Sequence, residues 1–195
     1  MKIRGQVSTG VFAALFLVAV HASVAQMKGK LTAADTLAAL KPGQWVELEG
    51  NVQPDFSVLC TEIKLLTGDL LEDDWKLTGI IRSVNKGKQV IEILRLPIQI
   101  QPETEFEDDD GKMMSFTDVK TNMLVQVEGT YLKDGTLLAK QIDNESAKLT
   151  EKPQKKDKIK ARGKVEKIDS TKRTITIMGI TYQLTDGTQS MSAIR

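Results

Sequence analysis

The run Glu107-Asp108-Asp109-Asp110-Gly111 sets carboxylates in front of a glycine, which suggests a calcium loop. Calcium takes six to eight oxygens, and an EF-hand loop supplies acids at alternate positions before its glycine. Counting back five from Gly111 puts Phe106 at the first ligand position, so that template fails and a solvated turn is expected. Acid–base and nucleophilic chemistry have little to work with. The one histidine is His21, and the one cysteine is Cys60 in an apolar stretch, without a neighbour to make it a thiolate. There is no glycine-rich phosphate loop. The basic residues Lys155, Lys156, Lys158, Lys160, Arg162 and Lys164 supply charge for a nucleic-acid groove, with Lys160, Arg162 and Lys164 on one strand face. No aromatic is interleaved with them, so no nucleic-acid partner is expected. Trp45 and Trp75 are the candidate contact residues for a ligand or partner, or else pack between neighbouring elements. The expectation is a protein that is not an enzyme and has no cofactor.

The first residues read as an export signal. Lys2 and Arg4 precede an apolar run, Val11–Val20, and Ser23 and Ala25 occupy the small-residue positions of a cleavage site. Ten apolar residues make about 15 Å of helix, half of a bilayer core, so no membrane span is expected in the mature chain. Cleavage after Ala25 removes two basic residues and no acid, which moves the net charge from +1 to −1. That balance exerts no general pull on nucleic acid or anionic lipid. The expected location is periplasmic or secreted. Cys60 has no partner for a disulfide and is read as a small core residue.

The elements that must position these side chains come in repeats. "VELEGNVQPDFSVLCTEI" (46–63) aligns without a gap with "VQVEGTYLKDGTLLAKQI" (125–142), 79 positions on. Val46, Leu48, Gly50 and Val52 alternate with polar residues, which is the period of a half-buried strand. "QPDFS" and "KDG" are turn chemistry, so each copy is a β-hairpin. A second repeat aligns 77–100 with 161–184 at an offset of 84 and reads as three strands in each copy. "LTAADTLAALKPG" reads as a short helix that Thr32 or Asp35 can cap. "SFTDVK" (115–120) and "SMSAIR" (190–195) are expected as matching helical turns. The four long strands each carry a glycine, Gly50, Gly79, Gly129 and Gly163, where a bulge or sharp coiling is expected. Five strands in about 70 residues with short turns point to a small antiparallel barrel.

The stretch 78–142 resembles the bacterial envelope family known as domain of unknown function 5666. The matching places are Gly79, Thr104, Phe106, Ser115, Phe116, Val125, Val127, Gly129, Leu138, Ala139 and Ile142. The usual turn glycine is replaced by Asn122, while Gly43 supplies it in the first copy. The resemblance implies an exported protein with OB-like barrels and implies no activity. A second stretch, "GKVEKIDSTKRTITIM", is similar to the opening of small periplasmic copper chaperones. That similarity places Met178 and Met191 as metal candidates. The chaperones' histidine and methionine pair are missing, so no tight metal site is expected.

The expected fold is all-β, with two small five-stranded OB-like barrels and short helices. One barrel is contiguous, 75–143. The other is assembled from an N-terminal half, 26–64, and a C-terminal half, 159–195, with 144–158 as a linker after the signal peptide 1–25. Its expected inner face is Val46, Leu48, Ile63, Val165, Ile175 and Ile177. The hairpin 44–64 is expected to join the strands of 159–184 within one chain; closure between chains, or a C-terminus that has lost a third hairpin piece, are the alternatives, and the sequence leaves the oligomeric state open. The expected function is a non-catalytic exported envelope module, binding or structural, whose ligand the sequence does not name and whose partner is another protein, a surface polymer or a second copy of itself. A soft-metal binding protein and a nucleic-acid-binding OB module are the alternatives.

Overall fold

The computed structural model describes residues 32–194, with side-chain surroundings through Ser190. The expected signal peptide lies outside the described residues, and among those described no helix is long and apolar enough to cross a membrane. Helix α1 (Ala33–Ala39) opens with a capping box. Thr32 Oγ1 accepts from the Asp35 amide at 3.2 Å, and the Asp35 carboxylate accepts from the Thr32 amide at 3.1 Å. Leu37 and Leu40 are buried, as their spacing requires. Ser115 and Asp118 build the same box on a single 3-10 turn, Phe116–Asp118.

The rest is predominantly strand. The elements are β1 (Trp45–Val52), β2 (Val58–Leu66), β3 (Trp75–Asn85), β4 (Val90–Ile93), β5 (Leu96–Gln99), β6 (Glu105–Glu107), β7 (Leu124–Tyr131) and β8 (Leu137–Asn144). After helix α2 (Ala147–Glu151) come β9 (Lys158–Lys164), β10 (Lys167–Asp169), β11 (Thr174–Ile177), β12 (Ile180–Gln183) and β13 (Gln189–Ile194). Five strands close a ring in the order β3, β4, β5, β8, β7 and back to β3, with β5–β8 the only parallel contact in it. Leu77, Ile81, Ile91, Ile93, Ile98, Val127, Leu137 and Ile142 fill it and are fully buried. The remaining strands follow the same order, β9, β1, β2, β12, β11, β10, with β9 and β10 separated along the chain by Val165 and Glu166. The N-terminal hairpin and the C-terminal strands therefore pair in one chain, from Trp45↔Lys164 to Asn51↔Lys158. Val46, Leu48, Ile63, Val165, Ile175 and Ile177 are all buried there.

The two strand sets are joined by β3 and β9, which are repeat counterparts. They pair antiparallel, and Leu77 faces its own counterpart, Ala161. Lys76 faces Arg162 and Thr78 faces Lys160. That register is the one produced by a local two-fold axis through Leu77 and Ala161. The symmetry extends outwards: Trp75 faces Gly129 while Ile159 faces Gly50, and Ile98 faces Leu137 while Tyr182 faces Val58. One chain thus carries the geometry of an isologous dimer.

Two devices recur in both copies. The ladder shifts register between Glu49 and Gly50 and again between Glu128 and Gly129, so both glycines sit at bulges. A Cβ at Gly129 would overlap the Leu138 carbonyl, and one at Gly50 would come within 2.7 Å of the Leu59 carbonyl. A buried threonine closes each set. Thr104 Oγ1 donates to the Ala139 carbonyl at 2.8 Å, and Thr188 Oγ1 donates to the Cys60 carbonyl at 2.9 Å.

The structure corrects one expectation. "SMSAIR" does not form a helical turn. Its residues 190–194 belong to β13, which runs parallel to β2 with Ser190 facing Ile63. The Thr188 anchor sets that course, as Thr104 sets β6 along β8. The segment expected as a linker carries local structure. Residues 147–157 form α2 and a 3-10 turn, Pro153–Asp157, and the Asp109 carboxylate accepts from the Ala147 amide at 3.0 and 3.1 Å. Asp108 Oδ1 accepts from the amides of Asp110 and Lys112, so the acidic loop is spent on its own turn and on this docking.

The bulge carbonyl at Leu138 belongs to a paired strand and yields only at the cost of the ladder. Gly129→Ala should therefore cost about 3 kcal/mol, at the upper end of single substitutions. A Cβ at Gly79 would clash with the Ile93 Cγ2 atom alone, at 2.8 Å, with Ile159 at an ordinary contact distance of 3.7 Å. Gly79→Ala should cost roughly half as much, since a side chain can shift. Urea denaturation of both variants checks the order.

Candidate functional site

Four hairpin tips, two from each strand set, meet around the two-fold axis and enclose a cleft of about 510 Å³. The tips are Asp55-Phe56-Ser57, Leu94-Arg95, the turn at Gly135, and Met178-Gly179. The first and third are repeat counterparts with the same internal bonds. Asp55 Oδ1 accepts from the Ser57 amide at 3.0 Å, and Asp134 Oδ1 accepts from the Thr136 amide at 3.0 Å. Hydrogen bonds from Ser57, side chain and then backbone, hold the Asp55 carboxyl below its ordinary range, with Arg95 adding a smaller effect.

The copies differ in what these tips display. The left-handed position holds Gly135 at φ 88° in one turn and Phe56 at φ 66° in the other. A bulky residue at positive φ is a backbone outlier, and such strain concentrates where a side chain is needed. The Phe56 ring is 45% exposed. The Arg95 guanidinium lies 5.4 Å from its centroid and that of Arg82 lies 6.0 Å away. Arg95 stands where the other copy has Gly179, and Tyr131 stands where the other has Val52.

Tyr131 is half-buried in the cleft wall, and its hydroxyl lies next to both turn glycines. A Cβ on Gly179 or Gly135 would come within 3.5 or 3.8 Å of it. Burial, then the carboxylates of Glu166 and Asp134, push the phenol's pKa up, so it remains a hydrogen-bond donor through the neutral range. Behind it stand the two tryptophans. The Trp75 and Tyr131 centroids are 5.2 Å apart and those of Trp45 and Trp75 are 5.0 Å apart, both pairs tilted. Gly163 makes room for Trp75, because a Cβ there would come to 2.5 Å from the indole. The structure thus brings Trp45 and Trp75 together. Trp75 is 5% exposed and packs in the seam as a support for Tyr131, while Trp45 is half-buried with Lys164 Nζ 5.4 Å over its ring.

Met178 lies in the cleft wall but is 1% exposed, with its backbone at φ 49°. Met191 lies in β13, and its side chain is outside the described set. Cys60 is buried and its thiol donates to the Glu62 carbonyl at 3.4 Å; burial pushes its pKa up to about 12. Phe56, Arg82, Arg95 and Tyr131 were not singled out by sequence reasoning. The mismatch of Phe56 with Gly135, in an otherwise matching turn, was the available signal.

On the opposite face of the sheet the basic stripe of β9 is matched by acids. Lys158 pairs with Glu49, Lys164 with Glu72, and Glu47 takes both Lys160 at 2.9 Å and Arg162 at 3.0 Å. Burial pushes the Glu47 carboxyl up, but its bonds and charges with Lys160 and Arg162 outweigh that, and its pKa lies below the usual range. Its stabilisation is therefore present above the unfolded carboxylate pKa and lost as pH falls. Glu47→Gln should cost about 1–2 kcal/mol near pH 7. The gap from wild type should shrink as pH drops below about 4.3. Denaturation midpoints at pH 7 and pH 3.5 check this.

No curated protein and no solved structure matches this chain. Three segments, residues 18–64, 78–143 and 162–193, match the family described as domain of unknown function (DUF5666). These segments track the repeats: one whole unit in the middle, flanked by the hairpin half at one end and the three-strand half at the other. The matched residues cover most of the chain, and the protein belongs to the DUF5666 family.

Proposed function

We propose that this chain is a non-catalytic binding module of the bacterial envelope, built from two OB-like barrels, with the cleft between them as its binding site. One observation carries the reading: the copies match in framework and differ in the cleft. Phe56, Arg95 and Tyr131 face the space left by Gly135 and Gly179. A symmetric frame with one loaded half is a way to hold one ligand on a two-fold axis. The basic, apolar and small-residue pattern of residues 1–25 supports an extracytoplasmic location. The thiol of Cys60, buried and held protonated, is unsuited to act as a nucleophile. The copper alternative draws no support from Met178, whose thioether is enclosed in the wall.

The test has two parts. N-terminal sequencing of protein recovered from the envelope fraction should start at Gln26; Met1 intact in cytosol would end the export reading. Immobilised wild type and Phe56→Gly/Arg95→Gln protein are then compared on envelope extract. Material retained by wild type and lost from the double variant supports the cleft; equal retention by both places binding elsewhere.

A further inference from the structure

The chemistry of the cleft narrows its ligand, given the reading above. Arg82 and Arg95 converge on Phe56 from within one barrel, yet among the described residues neither makes an ion pair. Arg95 lines the cleft beside the exposed ring and has a weak electrostatic influence on Asp55, whose carboxylate is bonded to Ser57, while Arg82 approaches the ring from outside the cleft lining. Stacking on an aromatic fixes the guanidinium plane, and its fork of N–H donors matches a carboxylate. Around them the cleft presents hydroxyls, Tyr131, Thr174 and Thr181, which both donate and accept.

An extended peptide would need a strand edge for main-chain pairing. The turns at the tips of this cleft have amides that are already used. The Phe56 amide bonds Gln53, the Gly135 amide bonds Leu132, and the Gly179 amide bonds the Glu166 carboxylate at 3.2 Å. What remains is side-chain recognition of a ligand rich in hydroxyls and bearing negative charge. We infer that the cleft binds an acidic sugar polymer, with a carboxylate in the fork of Arg95 and ring hydroxyls against Tyr131, Thr174 and Thr181. The volume lies within the range of about 300–1,000 Å³ that ligand pockets occupy. That suffices for a short run of sugar rings.

The test is calorimetric titration of the mature chain with oligogalacturonate, a neutral malto-oligosaccharide and oligoglutamate. The acidic sugar should bind, more weakly as salt rises, and the other two should not. Arg95→Gln and Phe56→Gly should each weaken binding at least tenfold. Arg173→Gln, whose guanidinium pairs with Asp186 outside the cleft, should leave it unchanged. Thermal unfolding guards against misfolding: Phe56→Gly should melt at or above the wild-type temperature, because glycine accepts the left-handed turn without strain. Absence of acidic-sugar binding, equal binding of oligoglutamate, or binding untouched by Arg95→Gln would overturn the inference. If the cleft variants still lose envelope material while no acidic sugar binds, the ligand class is wrong and the cleft reading stands. If envelope retention ignores the cleft variants, the reading beneath it falls as well.

Discussion

The antiparallel pairing of β3 with β9 is the contact on which the other features rest. It sets Leu77 against its own repeat counterpart, Ala161, and so generates the two-fold axis. Every later pairing appears twice because of it. It also makes the two halves of the chain interdependent. β9 takes β1 on its other side and thereby receives the N-terminal hairpin, which as an isolated pair of strands would be marginal. A chain written as half, whole, half thus leaves no long strand edge where its halves were cut.

The axis explains why the seam is built from unlike residues in like places. Trp75 lies over Gly163 on one side, and its counterpart Ile159 lies over Gly79 on the other. The glycines are the symmetric part: Gly163 is required by Trp75, while Gly79 leaves room for Ile93 and lies in ordinary contact range of Ile159. The occupants are the asymmetric part. On the aromatic side, Trp45, Trp75 and Tyr131 form a column that ends in the cleft. On the aliphatic side the corresponding positions are Leu124, Ile159 and Val52, which fill space and offer no polar tip. Stability is carried by the features that repeat, and the proposed recognition by those that do not.

This division decides how much of the molecule was legible in the sequence. The gapless repeats, the alternation of Val46 and Leu48 with Glu47 and Glu49, and the four glycines express the framework, so strands, hairpins and core residues could be read directly. The left-handed turn at Gly43 was visible from its glycine, and Asn122 holds the same conformation at φ 67°, a residue type that tolerates it. The pairing of β3 with β9 was not legible, because strand register across 84 positions leaves no local trace. The fate of 190–194 was misread because short polar segments follow their anchor, Thr188, more than their own propensity. The cleft was missed for a related reason. A search for repeats rewards positions that agree, whereas Phe56 and Arg95 matter where the copies disagree.

The most direct test of this account is a cross-strand disulfide at the axis. Thr78 and Lys160 face each other in the β3–β9 ladder on the charged face of the sheet. Their replacement by cysteine, in a Cys60→Ala background, followed by mild oxidation and non-reducing mass analysis, reads the pairing itself. The expected product is a monomer with one internal Thr78→Cys to Lys160→Cys bridge. Failure to form the bridge, or its formation only between chains, would contradict the pairing.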